Sequence, residues 1–322
     1  MASTDANHRP TPSADWRAAG YFYHTLNWFF RHTFGCRVRK ISVDGGFGCP
    51  NRDGTLGTGG CVFCNVASFS PSRRATGASI TQQIGRAIER LKRKGENDLF
   101  VAYFQPATNT YAGVDRLRAT YEEALAHPAI VGLAVGTRPD CVPDEVLDLL
   151  AELSRRTWLT LEYGMQSIHD ESLRWLNRGH RYAAMLDAVQ RSRRRNLRVG
   201  VHAILGIPGE SRRHVLATAR EVARLAIHSV KLHNLYAVAD TPLAEAVRAG
   251  SVRLLSLEEY AGCVVDFLEQ VPPGCVVDRL SGDAPPEYLV APSWCLDKPA
   301  VRAAVEAEFR RRGSWQGRHY QP

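Results

Sequence analysis

The chain has 322 residues, of which 44% are hydrophobic, so it can bury the core of one large domain or of two ordinary ones. No apolar run reaches the roughly 18–20 residues that a bilayer span needs, and the polar residues 1–15 lack the apolar centre of a secretory signal. We therefore expect a cytoplasmic protein with no membrane segment and with a flexible tail over residues 1–15. The 41 Lys and Arg residues outnumber the 33 Asp and Glu residues, and the net charge of +8 weakly favours a polyanionic partner such as nucleic acid.

Apolar strands and amphipathic helices alternate along most of the chain. A helix is predicted first, over residues 16–32, because apolar residues recur on one face. Strands are predicted at 38–43, 99–104, 130–136, 158–163, 197–205 and 230–236. Helices are predicted between them at 79–94, 114–126, 143–155, 183–195 and 212–226. This alternation is typical of right-handed βαβ units and predicts an α/β fold with a parallel sheet, either open and doubly wound or closed as a barrel.

The segment after the first predicted strand favours the barrel. No glycine-rich dinucleotide fingerprint follows residues 38–43, and a loop with three cysteines follows instead. A barrel carries its chemistry at the carboxyl ends of its strands, and this loop lies at such an end. The alternation fades near residue 255, and a helix at 257–270, a strand at 276–280 and a helix at 298–312 are predicted beyond it. We expect residues 16–255 to form the barrel and residues 256–322 to form an extension packed on it.

Three of the eight cysteines, Cys49, Cys61 and Cys64, lie within sixteen residues. A disulfide framework is not expected, because cytoplasmic thiols stay reduced. The Cys-x2-Cys pair alone fits zinc, a redox dithiol or an iron–sulfur cluster. A structural zinc site needs four ligands, which a distant histidine would have to complete because the chain has no second Cys-x2-Cys pair. Three thiolates on a [4Fe–4S] cluster leave one iron open for a chelating molecule, and seven glycines between residues 45 and 60 let the loop wrap around a ligand.

An ordered series of motifs accompanies the cysteine loop. It consists of Tyr103-Phe104-Gln105, Thr108-Asn109-Thr110-Tyr111, Gly136-Thr137-Arg138-Pro139-Asp140, Gly164-Met165-Gln166-Ser167, Asn177-Arg178-Gly179-His180 and Leu205-Gly206-Ile207-Pro208-Gly209-Glu210. With the wide Cys-x11-Cys-x2-Cys spacing, this series resembles the radical S-adenosylmethionine superfamily, and within it the bacterial YhcC/YtqA-type family related to the Elongator catalytic subunit. The resemblance covers nearly the whole chain. It implies a partial (β/α)6 TIM-like barrel with an N-terminal helix and a C-terminal α/β extension.

The resemblance also implies cofactors and the residues that hold them. Cys49, Cys61 and Cys64 would hold a [4Fe–4S] cluster whose open iron is chelated by S-adenosylmethionine. Gln105, Pro106 and Ala107 take the place of the superfamily's usual Gly-Gly-Glu segment, which contacts the amino group of that cofactor. Two further residues, Gln166 and Arg178, match a Gln and Arg pair of related barrels, with the arginine as a partner for the cofactor's carboxylate.

Other implied contacts lie near the ends of the later strands. Leu205, Gly206 and Ile207 belong to a segment that resembles the adenine-binding turn, for which an ordinary turn is the alternative. His202 stands where some relatives carry a ribose-contacting acid, for which a satisfied core histidine is the alternative. Two charged residues at strand ends are expected to pair or to contact the cofactor and the substrate: Arg138 and Glu162. Four more residues are predicted substrate contacts: Asn109, Tyr111, His233 and Tyr236.

The reaction that the resemblance implies is a radical one. A flavodoxin- or ferredoxin-type donor would reduce the cluster, which would cleave S-adenosylmethionine to a 5′-deoxyadenosyl radical that abstracts a hydrogen atom. The Elongator resemblance and the basic charge suggest tRNA as the substrate, at the C5 substituent of a wobble uridine. A small molecule or a peptide is the alternative substrate. A zinc-stabilised, non-catalytic RNA-binding protein and an iron–sulfur electron-transfer protein are alternatives of other classes.

Overall fold

The computed structural model describes residues 16–70, 77–91 and 99–322. The predicted flexible tail, residues 1–15, and the last three residues of the helix predicted at 79–94 lie outside these ranges. The described residues form an α/β fold around one curved sheet of seven parallel strands.

The seven-stranded sheet follows the order of the chain. Its strands are β1 (Val38–Val43), β2 (Leu99–Phe104), β3 (Ile130–Thr137), β4 (Trp158–Gln166), β5 (Arg198–Leu205), β6 (Ser229–Asn234) and, beside β6, β8 (Val276–Arg279). A separate antiparallel pair consists of β7 (Ala237–Val238) and β9 (Leu289–Ala291). All six predicted barrel strands are present, and the strand predicted at 276–280 joins the same sheet. The predicted partial barrel is therefore confirmed, with one strand more than expected.

Helices connect the strands and cover the outside of the sheet. They are α1 (Leu26–Phe34), α2 (Ile80–Leu91), α3 (Val114–Leu125), α4 (Asp144–Ser154), α5 (Asp170–Trp175), α6 (Tyr182–Arg194), α7 (Arg212–Arg224), α8 (Pro242–Arg248), α9 (Leu257–Gln270) and α10 (Lys298–Arg312). The short helices α5 and α8 were not predicted, because six or seven residues are too few to show a helical period. None of these helices in the described part of the chain has the length and apolar character needed to cross a membrane.

The main core lies between the sheet and the helices outside it. In α4, the residues that recur on one face, Val146, Leu149, Leu150 and Leu153, are each at most 2% exposed. Burying each such side chain contributes roughly 1.5–3 kcal/mol. All nine residues of β4 are buried, as expected of a central parallel strand whose two faces are both covered.

The helix predicted over residues 16–32 is wrong in its first half. Helix α1 begins only after Thr25, whose side chain caps its first turn. Before this cap, the carbonyl of His24 accepts a hydrogen bond from the N–H of Val277 at 2.8 Å, so the segment runs beside β8. Trp16, one of the apolar residues that suggested a helix, instead donates from its indole to a carbonyl near the start of β8. Tertiary packing therefore overrides the local apolar pattern.

The sheet leaves a gap where its two edges approach each other. Strands β1 and β8 are these edges, and in the described part of the chain they share no ladder of backbone hydrogen bonds. The sheet curls enough for Lys40 on β1 to pair with Asp278 on β8, with Nζ and Oδ2 2.5 Å apart. Helix α1 packs against both edges. We call the cavity between these edges the seam; its lining includes Tyr21, Tyr23, Phe30, Arg37, Arg39, Lys40, Asp278, Arg279, Lys298 and Arg302.

Candidate active site

A cavity opens at the carboxyl ends of the strands, beneath the loop that follows β1. Its empty volume, including the open solvent at its mouth, is about 1230 Å³. Its wall joins residues that are far apart in sequence. It includes ten of the predicted site residues: Cys49, Cys61, Cys64, Gln105, Ala107, Arg138, Glu162, Gln166, Arg178 and His202.

The eleven residues between Cys49 and Cys61 form a closed turn. Near its ends, the N–H of Gly60 donates to the carbonyl of Asn51 at 2.7 Å, which returns the chain to its starting point. At its tip, the side chain of Leu56 is 51% exposed. Because the ends of the turn meet, the wide spacing still places all three cysteines on one cavity wall.

The motif at residues 177–180 follows α5 and supports this turn. The side-chain amide of Asn51 donates to the carbonyl of Asn177 at 2.6 Å, and the side-chain amide of Asn177 donates to the carbonyl of Gly60 at 2.7 Å. Gly179 has a φ of +71°, and a Cβ at this position would lie 2.9 Å from Oδ1 of Asn51. The close approach of the two segments therefore requires glycine here.

The three thiols lie in an environment that suits a cationic ligand. Burial first, and then the neighbouring thiols of Cys61 and Cys49, raise the pKa of Cys64 to about 12, although Arg52 and Arg178 act in the opposite direction. Nη1 of Arg178 also lies 3.3 Å from Sγ of Cys61. A metal centre deprotonates the thiols that ligate it, so its charge would remove the cost of these buried thiolates.

The arrangement does not suit a single zinc ion. Among residues 16–70, 77–91 and 99–322, no group of three or more His, Cys, Asp or Glu side chains is placed to hold one metal ion, whereas a structural zinc site needs four ligands. Three cysteines on one cavity wall would hold three irons of a [4Fe–4S] cluster and leave the fourth iron for a chelating molecule.

Two buried arginines line the same cavity. Arg138 binds Asp140 through Nε at 3.0 Å and Nη2 at 2.8 Å, and Arg178 donates from Nη2 to the carbonyl of Gly164 at 2.9 Å. The described residues provide no partner for Nη1 of Arg138 or for Nε of Arg178, although both atoms are buried. A buried donor without a partner is costly, so these atoms suit an acceptor on a bound molecule, such as a carboxylate.

The segment predicted to contact the amino group of the cofactor lies just beyond β2. Gln105 lines the cavity, and its Oε1 accepts a hydrogen bond from the hydroxyl of Ser42 at 2.7 Å. Ala107 also lines the cavity and has a φ of 59°, while Gln166 at the end of β4 has a φ of 66°. Such conformations are sparse for residues other than glycine and cluster at functional sites. Pro106 is not part of the cavity wall.

The predicted adenine-binding turn lies next to the cavity wall. Ile204, near the end of β5, lines the cavity, whereas Leu205, Gly206 and Ile207 do not. Gly206 has a φ of +89°, and a Cβ there would lie 2.9 Å from the side chain of Leu255. The glycine thus permits close packing on Leu255, and the contact with adenine stays a prediction.

A group of charged side chains fills the barrel interior next to the cavity. Glu162 accepts hydrogen bonds from Lys40 at 2.6 Å and from Lys231 at 2.5 Å, and its other contact is His202 at 2.8 Å. Burial alone would raise the pKa of Glu162, but the two lysines hold it well below its ordinary value. Burial, together with the charge of Lys231, lowers the pKa of His202 to about 4. We call five residues the charged cluster: Lys40, Glu162, Lys231, Asp278 and Arg279.

Arg138 and Glu162 both line the cavity but do not pair with each other, so of the two predicted alternatives the contact with cofactor and substrate stays a prediction. Each is engaged elsewhere, because a carboxylate two residues along the chain binds Arg138 and the lysines of β1 and β6 bind Glu162. Three further residues of this group were not predicted from the sequence: Lys40, Lys231 and Arg279. Each is a charged residue inside a strand, and this was the available signal, because such a charge is costly without a partner.

Of the four further predicted substrate contacts, two line the cavity and two do not. His233 and Tyr236 line the cavity, whereas Asn109 and Tyr111 do not. Asn109 is buried, and its amide joins the ends of β2 and β3 by donating to one carbonyl of each strand at 3.0 and 2.8 Å. The hydroxyl of Tyr111 lies 3.0 Å from that of Thr55, in the cysteine loop. These last two residues therefore have structural contacts.

Comparison with known proteins identifies relatives over nearly the whole chain. Residues 46–222 match the model of the Radical SAM superfamily, and residues 227–311 match that of the Radical_SAM C-terminal domain. The chain is 39% identical over 299 residues to the uncharacterized protein YtqA of Bacillus subtilis, covering 93% of each. It is 41% identical over 266 residues to protein YhcC of Escherichia coli, covering 82% of this chain and 85% of that protein. A more distant relative, the tRNA uridine(34) acetyltransferase of Dehalococcoides mccartyi, is 27% identical over 196 residues, covering 60% of this chain and 42% of that protein.

A solved structure shares the fold. The archaeal Elp3 of Methanocaldococcus infernus, with residues 1–46 deleted, matches with a TM-score of 0.62 and 18% identity, covering 87% of this chain. This chain spans 64% of that archaeal chain's length. The chain belongs to the radical S-adenosylmethionine superfamily, in the family that includes YtqA and YhcC. Members of this superfamily are enzymes that bind a [4Fe–4S] cluster and S-adenosylmethionine, so the predicted class and cofactors are confirmed.

Proposed function

We propose that this radical S-adenosylmethionine enzyme acts on tRNA and abstracts a hydrogen atom from the C5 substituent of a wobble uridine. One observation carries the catalytic part of the proposal: three cysteines share a cavity wall with two buried arginines that offer N–H groups. When bound there, the reduced cluster and S-adenosylmethionine supply a 5′-deoxyadenosyl radical. A flavodoxin- or ferredoxin-type protein is the proposed electron donor.

The residues nearest the cysteine loop have two roles in this proposal. Cys49, Cys61 and Cys64 hold the cluster, and Arg178 stabilises the thiolate of Cys61 from 3.3 Å away. Nε of Arg178 and Nη1 of Arg138 then donate hydrogen bonds to the carboxylate of S-adenosylmethionine. The second role uses two buried N–H groups for which the described residues provide no hydrogen-bond partner.

The rest of the wall orients the cofactor and excludes water. Gln105 and Ala107 offer backbone carbonyls to the cofactor's amino group, while Gln166 and His202 face the remainder of the molecule. Phe63, directly before the last cysteine, adds an apolar side chain to the wall. Shielding of this kind protects a radical from unwanted hydrogen donors.

Two observations support RNA as the substrate. One is the likeness to a protein named for its action on tRNA uridine 34. The other is the composition of the seam, which is lined by six basic residues and one acidic residue, three of the basic ones (Lys40, Lys298 and Arg302) being paired with carboxylates. Such a lining attracts a phosphate backbone, and the seam's aromatic residues can stack on unpaired bases. A small molecule or a peptide is the alternative substrate.

Anaerobic reconstitution tests the catalytic class. The protein is loaded with iron and sulfide, then given dithionite and S-adenosylmethionine, and 5′-deoxyadenosine is measured by chromatography. We expect product from the wild type and none from Cys64→Ala. Cys36→Ala is the matched control and should keep full activity, because Cys36 is not part of the cavity wall. Colourless protein with one zinc and no product would instead favour the non-catalytic RNA-binding alternative.

The substrate is tested with tRNA from cells that lack the gene. Intact tRNA should stimulate 5′-deoxyadenosine formation, and mass spectrometry should find a modified wobble uridine. The same tRNA digested to nucleosides is the control and should not stimulate. Stimulation by a protein-free, RNA-free extract of small molecules, with none by tRNA, would contradict the RNA proposal and leave the radical class standing.

A further inference from the structure

The charged cluster holds more positive than negative groups. Lys40, Lys231 and Arg279 supply three cations, whereas Glu162 and Asp278 supply two carboxylates. Even with both carboxylates ionised, one positive charge is in excess. A half-buried cation without a counter-charge, such as Arg279, loses hydration without gaining an ion pair, so folding alone gives this arrangement no benefit.

Arg279 is the cation left without a carboxylate. Glu162 is bound by both lysines, at 2.6 and 2.5 Å, and Asp278 is bound by Lys40 at 2.5 Å. Within the described ranges, no Asp or Glu oxygen lies within 4.0 Å of the Arg279 guanidinium. Its Nε is also buried with no hydrogen-bond partner among those residues.

The imidazole beside Arg279 does not neutralise it. Nη2 of Arg279 lies 2.8 Å from Nε2 of His233. Burial first, and then the charge of Arg279, hold the pKa of His233 well below its ordinary value, so this ring is neutral. The remaining acid nearby, Asp283, is paired with Lys298 at 3.0 Å.

Arg279 is placed to meet a bound molecule from two directions. It lines both the cavity with the cysteines and the seam, so it stands where the two meet. A planar guanidinium with free N–H groups binds carboxylate or phosphate in a two-point arrangement. An anionic group on a bound molecule would therefore supply the negative charge that Arg279 lacks.

We propose that Arg279, with His233 beside it, is a specificity-determining residue that binds an oxyanion of the substrate, either a carboxylate or a phosphate. This inference rests on the cavity being the substrate site of the radical reaction, and it holds for RNA and for a small acid alike. The cofactor's carboxylate is a separate oxyanion, because the proposed function assigns it to Arg138 and Arg178.

The test measures the melting temperature of the reconstituted holoenzyme with S-adenosylmethionine bound. The probes are inorganic phosphate and acetate, compared with chloride at equal ionic strength. A ligand that binds only the folded state stabilises it, so at least one probe should raise the melting temperature of the wild type by about 2 °C or more. Arg279→Met should abolish this rise and Arg279→Lys should retain part of it. Arg213→Met, at an exposed position of α7, is the matched control and should respond as the wild type does.

A second readout separates binding from a structural role. Without a probe, Arg279→Met should melt at the same or a higher temperature than the wild type, because it removes an uncompensated charge. A lower melting temperature in Arg279→Met, or an unchanged response to the probe, overturns the proposal. So does a wild type that responds to neither probe.

The affinity for S-adenosylmethionine, measured by equilibrium dialysis, completes the test. It should change less than twofold in Arg279→Met, and a tenfold loss would assign the oxyanion to the cofactor and overturn the proposal. Whether phosphate or acetate is the effective probe tells which oxyanion the substrate carries. Failure of the proposed function would appear elsewhere, as absence of 5′-deoxyadenosine from the wild type.

Discussion

Two sides of the same cavity are built in opposite ways. The cysteine loop is one stretch of chain, residues 49–64, which backbone hydrogen bonds close on itself and a turn at residues 177–180 supports. The charged cluster draws its five members from four strands, β1, β4, β6 and β8, and no two of these strands follow each other in the chain without a helix between them. The loop is thus organised locally, whereas the cluster exists only after the sheet has formed.

The two sides of the cavity also differ in how far their polar and charged groups find partners within the protein. Hydrogen bonds of Asn51, Gly60 and Asn177 hold the shape of the loop, and its three thiols line the cavity. The cluster keeps an excess positive charge that no described residue balances. Sites that violate the rules of stable packing in this manner are where function is expected.

Removing the central acid of the charged cluster should have the largest effect on folding. Glu162→Gln leaves Lys40 and Lys231 buried without their carboxylate, and breaking a buried pair from one side costs about 3–5 kcal/mol. Urea denaturation measures this change in the free energy of unfolding. The matched control is Glu152→Gln, which breaks an exposed pair with Arg118 and should cost less than about 1 kcal/mol. Equal costs at the two sites would mean that the cluster is not held by its charges.

Changing Arg178 tests the other side of the cavity. Arg178→Lys keeps the charge but loses the fork that reaches both Cys61 and the carbonyl of Gly164. We expect S-adenosylmethionine affinity or iron retention to fall about 10–100-fold, which is the usual cost of losing a residue that supports metal ligands. Equilibrium dialysis and iron analysis measure these losses. Arg174→Lys, at an exposed position one turn earlier, should leave both values unchanged.

A glycine-to-alanine pair tests how strictly the cysteine loop depends on its backbone. Gly179→Ala adds a Cβ 2.9 Å from Asn51 at a φ of +71°, whereas Gly209→Ala adds one at a φ of +87° with no atom within 4 Å. Both should lose roughly 1–2 kcal/mol from the left-handed conformation alone. Only Gly179→Ala should also speed the loss of iron from the reconstituted protein. The decay of the visible absorbance of the protein measures this loss. Equal rates of loss would show that the turn does not support the cysteines.

Acid should weaken the charged cluster in a defined pH window. His202 has a pKa of about 4 in the folded protein against an ordinary value of 6.5, so between these pH values the unfolded chain binds a proton that the folded chain does not. Stability from this group is complete above pH 6.5 and is lost as the pH falls toward 4, by about 1 kcal/mol per pH unit. His202→Gln should reduce the slope of unfolding free energy against pH in that window. An identical slope in this variant and the wild type would mean that His202 is not the group whose protonation lowers stability in this window.

The sequence predicted the regular part of the fold well. The strands at 38–43 and 99–104 agree with the structure residue for residue. The second of them is an apolar run, as expected of a parallel strand covered on both faces. The first half of the predicted N-terminal helix failed, because its apolar residues pack against the C-terminal region rather than along a helix face. Local periodicity cannot distinguish these two uses of the same residues.

The site was predictable where its chemistry lies in a short motif. Cys49, Cys61 and Cys64 could be named as candidate ligands from their spacing, and Arg178 as a candidate contact from the motif around it, and all four line the same cavity. Arg279 could not be identified in this way. It lacks a carboxylate partner only because Lys40 and Lys231 bind the two carboxylates nearby, and the order of the strands determines this pairing. Charge balance inside a barrel is a property of the assembled sheet.

The closed turn after Cys49 brings its two ends together and leaves its tip exposed. The Gly60 N–H returns to the carbonyl of Asn51, and the Leu56 side chain at the tip is in contact with solvent. The exposed tip at Leu56 is therefore a permissive position for an inserted epitope or a dye-labelling tag. A reporter there would sit on the same loop as the three cysteines but outside the cavity wall, so it would report on a macromolecule that docks against the loop without replacing a residue that lines the cavity.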